Sequence, residues 1–186
     1  PILPPVPAML ARRPCRRRAS IVPGAARVSV EPILDLSTID LDAVAVDAET
    51  VGRLNPQCGD MRQLDHVVLL DVEKGLAAGR LAVPEDVWWG PLHIPGRPLM
   101  PGVLMIEGAA QLSSIYHRYR MKGSQDRFLG FTRIDGTVFR GQVLPGQTLH
   151  FTMREVKFSP RRFITDAQGV VDDRIVFETR ITGMTM

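Results

Sequence analysis

A single helix constrains this chain more than any other feature. Residues 102–122 form the only long helical candidate. Its first half, Val103, Leu104, Met105, Ile106, Glu107, Gly108, Ala109 and Ala110, is apolar nearly all round. Such a pattern calls for burial on every side. Pro101 stands at the first turn, where a missing N–H costs nothing. Arg118, Arg120 and Lys122 suit the negative end of the helix dipole, and Gly123 follows as a stop. A lone helix that needs cover all round must be wrapped by a sheet. The sequence offers the strands: residues 66–73 and 76–83 around a Lys74-Gly75 turn, then 128–134, 137–143, 148–157, 162–170 and 174–182. Turns are expected at Asp135-Gly136, Pro145-Gly146, Ser159-Pro160 and Asp172-Asp173. The expected class is α+β, one buried helix against an antiparallel sheet.

Upstream, Ser37 or Thr38 is placed to cap a short helix ending before Asn55-Pro56. The segment from Pro84 to Pro101 reads as a loop. Residues 1–31 carry six arginines and one acid, Glu31. The remaining 155 residues hold 17 basic and 19 acidic side chains, a net of −2 against +3 for the whole chain. The pI of about 9.3 therefore describes the N-terminal segment. A nearly neutral body gives no support for nucleic-acid binding by the folded part. The basic segment reads as a disordered arm, as sequence upstream of the natural product (Met9 follows shortly), or as an organelle-targeting segment; a nucleic-acid arm ranks behind these. Residues 32–186 are expected to form one domain. No run of about 18 apolar residues occurs, so no membrane span is expected. Cys15 and Cys58 form no CxxC pair and no metal-ligand spacing, which suits a reducing, cytoplasmic setting.

The chemistry is concentrated between His93 and Glu107. A histidine sits in a stiff Pro/Gly loop that leads straight into the helix. The helix opens on Pro101-Gly102, so its first amides can approach a ligand closely and present positive dipole. One carboxylate, Glu107, lies inside an apolar run, and a buried carboxyl is pushed toward its neutral, proton-donating form. From the residues alone, Glu107 either serves as an acid or lines a polar seam or pairs with an arginine. His93 alone is a solvated loop histidine or a base. His66, His117 and His150 have no matching carboxylate and read as structural or surface residues.

The stretch HIPGRPLMPGVLMIEGAAQ, from His93 to Gln111, resembles the active-site signature of the 3-hydroxyacyl-(acyl-carrier-protein) dehydratases of fatty-acid synthesis. Phe128-Leu129-Gly130, Ile134-Asp135, Phe139-Arg140 and Val143-Leu144-Pro145-Gly146 continue the likeness, as does Leu64-Asp65-His66-Val67. It covers roughly residues 54–183. The resemblance implies a hot-dog fold, a long central helix wrapped by a curved antiparallel sheet, in a homodimer or a trimer of dimers. It implies that His93 takes the C2 proton and that Glu107 of the partner subunit protonates the leaving C3 hydroxyl. The Gly102 N–H would hold the thioester oxygen, and the Leu99 carbonyl would fix the histidine tautomer. An acyl carrier protein would deliver the substrate, met by some of Arg97, Arg118, Arg120, Lys122, Arg133, Arg140, Arg161 and Arg162, with no metal or other cofactor. The chain departs from the family pattern at Leu92, at Trp88-Trp89-Gly90-Pro91 and at residues 55–62. A hot-dog thioesterase and a non-catalytic acyl-thioester-binding protein are the alternatives.

Overall fold

The computed structural model describes residues 31–122 and 128–186; the reading of residues 1–30 lies outside the described residues. Six strands form one antiparallel sheet: β1 (His66–Asp71), β2 (Leu76–Ala82), β3 (Leu129–Phe139), β4 (Thr148–Ser159), β5 (Arg162–Val171) and β6 (Arg174–Thr185), in the order β1-β2-β4-β5-β6-β3. Among the described residues three α-helices accompany them: α1 (Ala48–Leu54), α2 (Gly90–His93) and α3 (Gly102–Arg120). Helix α3 packs across β2, β4, β5, β6 and β3. Strand registers shift in β1–β2, β3–β6, β4–β5 and β5–β6. Each bulge bends and twists its strand, and together they curve the sheet around the helix.

The core follows the two periodicities. Leu149, Phe151 and Met153 alternate along β4, and Leu104, Leu112 and Ile115 lie on the buried side of α3. Helix and sheet approach closely at Gly108. A Cβ built there would meet the Phe151 ring and stand 2.7 Å from the Gln63 carbonyl oxygen. The outer face of the sheet is charged: Asp166 joins Arg154 and Arg180, and Arg140 joins Glu178. Gln168 on that face accepts from the Ile33 N–H and donates to the Glu31 carbonyl, which lays the start of the described chain on the sheet.

Several sequence expectations are corrected. Residues 128–134 and 137–143 are not two strands but mostly one, β3. Asp135-Gly136 is a bulge, because Gly136 takes φ +58° and the register with β6 slips between Asp135 and Val138. Neither Ser37 nor Thr38 caps a helix. Asp35 caps a single 3-10 turn, Leu36–Thr38, and Asp47 caps α1 through the Thr50 N–H at 2.7 Å. Asp35 and Asp47 occupy the N-cap positions, where their carboxylates meet the first amides. The 84–101 loop contains the short turn α2. Burial of α3 is not complete on every side either: Val103 is 70% exposed, since the chain's own sheet leaves one flank of the first turn uncovered. Arg118, read as surface charge, is buried. No helix among the described residues is long and apolar enough to cross a membrane.

His117 is 1% exposed, lies between the rings of Phe158 and Phe163, and neither ring nitrogen has a hydrogen-bond partner among the described residues. Burial, aided by the Arg118 charge and opposed by Glu155, pushes its pKa down. Burial does the same to His150, with Arg80 and His66 adding to it.

Two predictions follow from this packing. Gly108→Ala must displace a backbone carbonyl as well as a ring, so denaturant melts should show a loss of about 1–3 kcal/mol. The histidines make stability pH-dependent. Both stay neutral in the fold while the unfolded chain takes up protons below about pH 6.5. Stability is therefore complete above that pH and lost as pH falls toward the depressed folded values. Thermal melts between pH 7.5 and 5 should drop more steeply for the wild type than for His117→Phe; parallel curves would remove His117 as the cause.

Candidate active site

His93 ends α2, where its N–H bonds the Trp89 carbonyl at 2.8 Å. The chain then reverses at Pro95-Gly96. Proline fixes φ at the first corner, Gly96 takes φ +77° at the second, and the Arg97 N–H closes onto the Ile94 carbonyl at 3.0 Å. That turn brings the Leu99 carbonyl to 2.9 Å from His93 Nδ1. A carbonyl oxygen only accepts, so Nδ1 carries the proton and Nε2 keeps its lone pair. One residue on, buried Met100 donates its N–H to the Val143 carbonyl at 2.8 Å and anchors the loop to the body.

Helix α3 starts at Gly102 with no side chain capping it at Pro101. Of its first-turn amides, that of Leu104 donates to the Pro101 carbonyl at 3.0 Å, while the Gly102 N–H has no partner within the helix. Phe139, at the end of edge strand β3, packs over Gly102; a Cβ there would stand 2.5 Å from the ring. Only glycine leaves this amide approachable under the ring.

Glu107 lies one and a half turns further on and is half-buried. Among the described residues it has no arginine partner. Gln57 Nε2 and Gln111 Nε2 both donate to its Oε1 at 2.8 Å. Gln111 is itself held: its Nε2 also reaches the Met61 carbonyl at 2.8 Å, and its Oε1 accepts the Gln63 N–H at 2.9 Å. The Asn55 amide donates to the Gln111 carbonyl at 3.2 Å. Beside these carboxamides runs a narrow slot of about 20 Å³ between Ala110 and Ser114 on the helix and Leu129 and Phe131 on β3.

Of the residues expected from sequence, His93 and Leu99 are joined by a hydrogen bond and Gly102 follows them directly. Glu107 belongs to a separate polar seam, and no hydrogen bond among the described residues links it to His93 of the same chain. Sequence reasoning missed Gln57. It lies 50 residues from Glu107, and nothing in its local context marks it. Gln111 was legible, being one helical turn beyond Glu107. Among the expected surface cations, Arg120, Arg133 and Arg140 are ion-paired with Glu155, Asp135 and Glu178, whereas Arg97, Lys122, Arg161 and Arg162 are exposed.

The FabA-like domain model matches residues 55–180, which spans the polar seam, the turn, the helix and nearly all of the sheet. The chain belongs to the FabA-like family. It is 31% identical over 143 residues to the 3-hydroxyacyl-(acyl-carrier-protein) dehydratase FabZ of Campylobacter jejuni, covering 75% of this chain and 97% of the relative. Such relatives are hydro-lyases, and membership makes this chain an enzyme of that class. Among solved structures, the fold is similar to that of the dehydratase heterocomplex ApeI:P from Xenorhabdus doucetiae, with a TM-score of 0.62 at 16% identity over 73% of this chain and 90% of that one. It is similar also to a mutant thioesterase from Pseudomonas aeruginosa, with a TM-score of 0.56 at 12% identity over 76% and 95%. These likenesses establish the hot-dog fold.

Proposed function

We propose that this chain dehydrates (3R)-3-hydroxyacyl thioesters, carried on an acyl carrier protein, to trans-2-enoyl thioesters in fatty-acid or related lipid synthesis. The observation that carries the reading is the Nδ1–H bond to the Leu99 carbonyl, which leaves a basic Nε2 next to an uncapped helix start. The C2 proton is weakly acidic, so a base alone is insufficient. The Gly102 N–H polarises the thioester carbonyl as negative charge develops. His93 Nε2 takes the C2 proton, the C2–H electron pair forms the C2=C3 bond, and the C3–O pair leaves with a proton from Glu107 as water. The steps are proton transfers with no change of oxidation state, and the reading invokes no cofactor.

In this reading the acid comes from a second copy. Supporting it, Leu92 and Val103 are 72% and 70% exposed beside His93 and Gly102, and β3 is an open edge strand bearing exposed Phe131, Val138 and Phe139. Apolar surface grouped in this way marks an interface. A homodimer, alone or assembled further as a trimer of dimers, would cover it and line the acyl channel. Exposed Arg97, Lys122, Arg161 and Arg162 are offered as a group to an acidic carrier protein. The exposed free thiol of Cys58 suits a cytoplasmic setting.

Purified protein should hydrate a trans-2-enoyl thioester, read as loss of enoyl absorbance. His93→Ala and Glu107→Gln should each lower the rate by about 10²–10⁴-fold while melting normally. Release of free thiol without hydration would make it a thioesterase. Unaltered acyl-thioester binding by a chain with no turnover would make it a binding protein.

A further inference from the structure

We propose that Gln57 is a positioning residue that, with Gln111, holds Glu107 Oε1 as the accepting oxygen and so assigns the transferable proton to Oε2. The inference rests on the dehydratase reading above and concerns which atom of the acid delivers the proton. Both carboxamide Nε2 groups donate to the same oxygen at 2.8 Å. Among the described residues Oε2 accepts no hydrogen bond.

A protonated carboxyl has one carbonyl-type oxygen, which only accepts, and one hydroxyl oxygen. Two N–H groups aimed at Oε1 leave no room for a hydrogen on it. The proton therefore resides on Oε2. Once the proton has left, Oε1 keeps both donors, and these stabilise the carboxylate that remains. The carboxyl group thus need not rotate between the two states, which is what a preorganised proton donor requires. In the reverse, hydration direction the same oxygen, Oε2, takes the proton from attacking water while His93 returns one to C2.

The two donors are not equivalent. Gln111 is 1% exposed and also bonds the Met61 carbonyl and the Gln63 N–H, so its loss would disturb the packing of residues 61–63 against the helix. Gln57 comes from the segment after α1, where Pro56 restricts the backbone. Among the described residues its side chain hydrogen-bonds Glu107 alone. Gln57 is therefore the member whose role can be isolated.

A double-mutant cycle tests this with the full chain and an enoyl thioester in the hydration assay. Gln57→Leu keeps size and removes the donor. It should lower kcat by about 10- to 100-fold, because the carboxyl group is no longer held with Oε2 toward the substrate, with KM little changed. In the Glu107→Gln background the same change should cost almost nothing, because Gln57 acts through that carboxyl. Gln57→Glu, which keeps polarity and turns acceptors toward Glu107, should be at least as impaired. Equal losses in both backgrounds would make Gln57 merely structural and overturn the inference, as would full activity of Gln57→Leu or Gln57→Glu. A wild-type chain with no hydration activity would instead overturn the dehydratase reading and this inference with it.

Discussion

Helix α3 lies so near the sheet that the Phe151 ring and the Gln63 carbonyl fill the space a side chain at residue 108 would need. That approach sets both the height and the rotation of the helix. With Gly108 facing the sheet, Leu104, Leu112 and Ile115 point into the core. Glu107, Gln111 and Ser114 fall along the flank. The flank meets Gln57 and the β3 edge, so the acid emerges in a polar seam at the border of the core instead of in its middle. One methyl group at position 108 would lift or turn the helix, and Glu107 and Gly102 would move with it.

The two halves of the site are prepared by different means toward the same end. A Pro-Gly turn returns a backbone carbonyl to His93 and fixes its proton on Nδ1. Two carboxamides crowd one oxygen of Glu107. Each device ties up one atom of a two-atom functional group and leaves the other free. Both rest on neutral dipoles, and among the described residues neither group forms an ion pair. In the proposed reaction the exposed apolar residues around His93 and Gly102 would be the counterpart of this arrangement, keeping water from a base whose target is a weakly acidic C–H.

Much of this was written locally in the sequence. The apolar helix, its Pro-Gly start and the His93–Glu107 motif are patterns within a few residues of one another, and each was legible. Other features depend on contacts that local pattern does not carry. Asp135-Gly136 reads as a turn, yet pairing with β6 holds the chain extended and converts it into a bulge. Ser37 and Thr38 are good capping residues, but Asp35 and Asp47 stand where the amides are. Val103 looks like core because its neighbours are. Gln57 reaches Glu107 from 50 residues away, across a chain reversal that only the fold reveals.

The central claim is that the base and the acid of one site come from opposite chains. Mixing His93→Ala and Glu107→Gln chains by co-expression tests it directly. If the groups meet across a two-fold interface, one site of each mixed dimer has both intact, and random pairing restores about one quarter of wild-type hydration activity. If each chain uses its own pair, every site lacks one group, and the mixture stays as inactive as either variant alone.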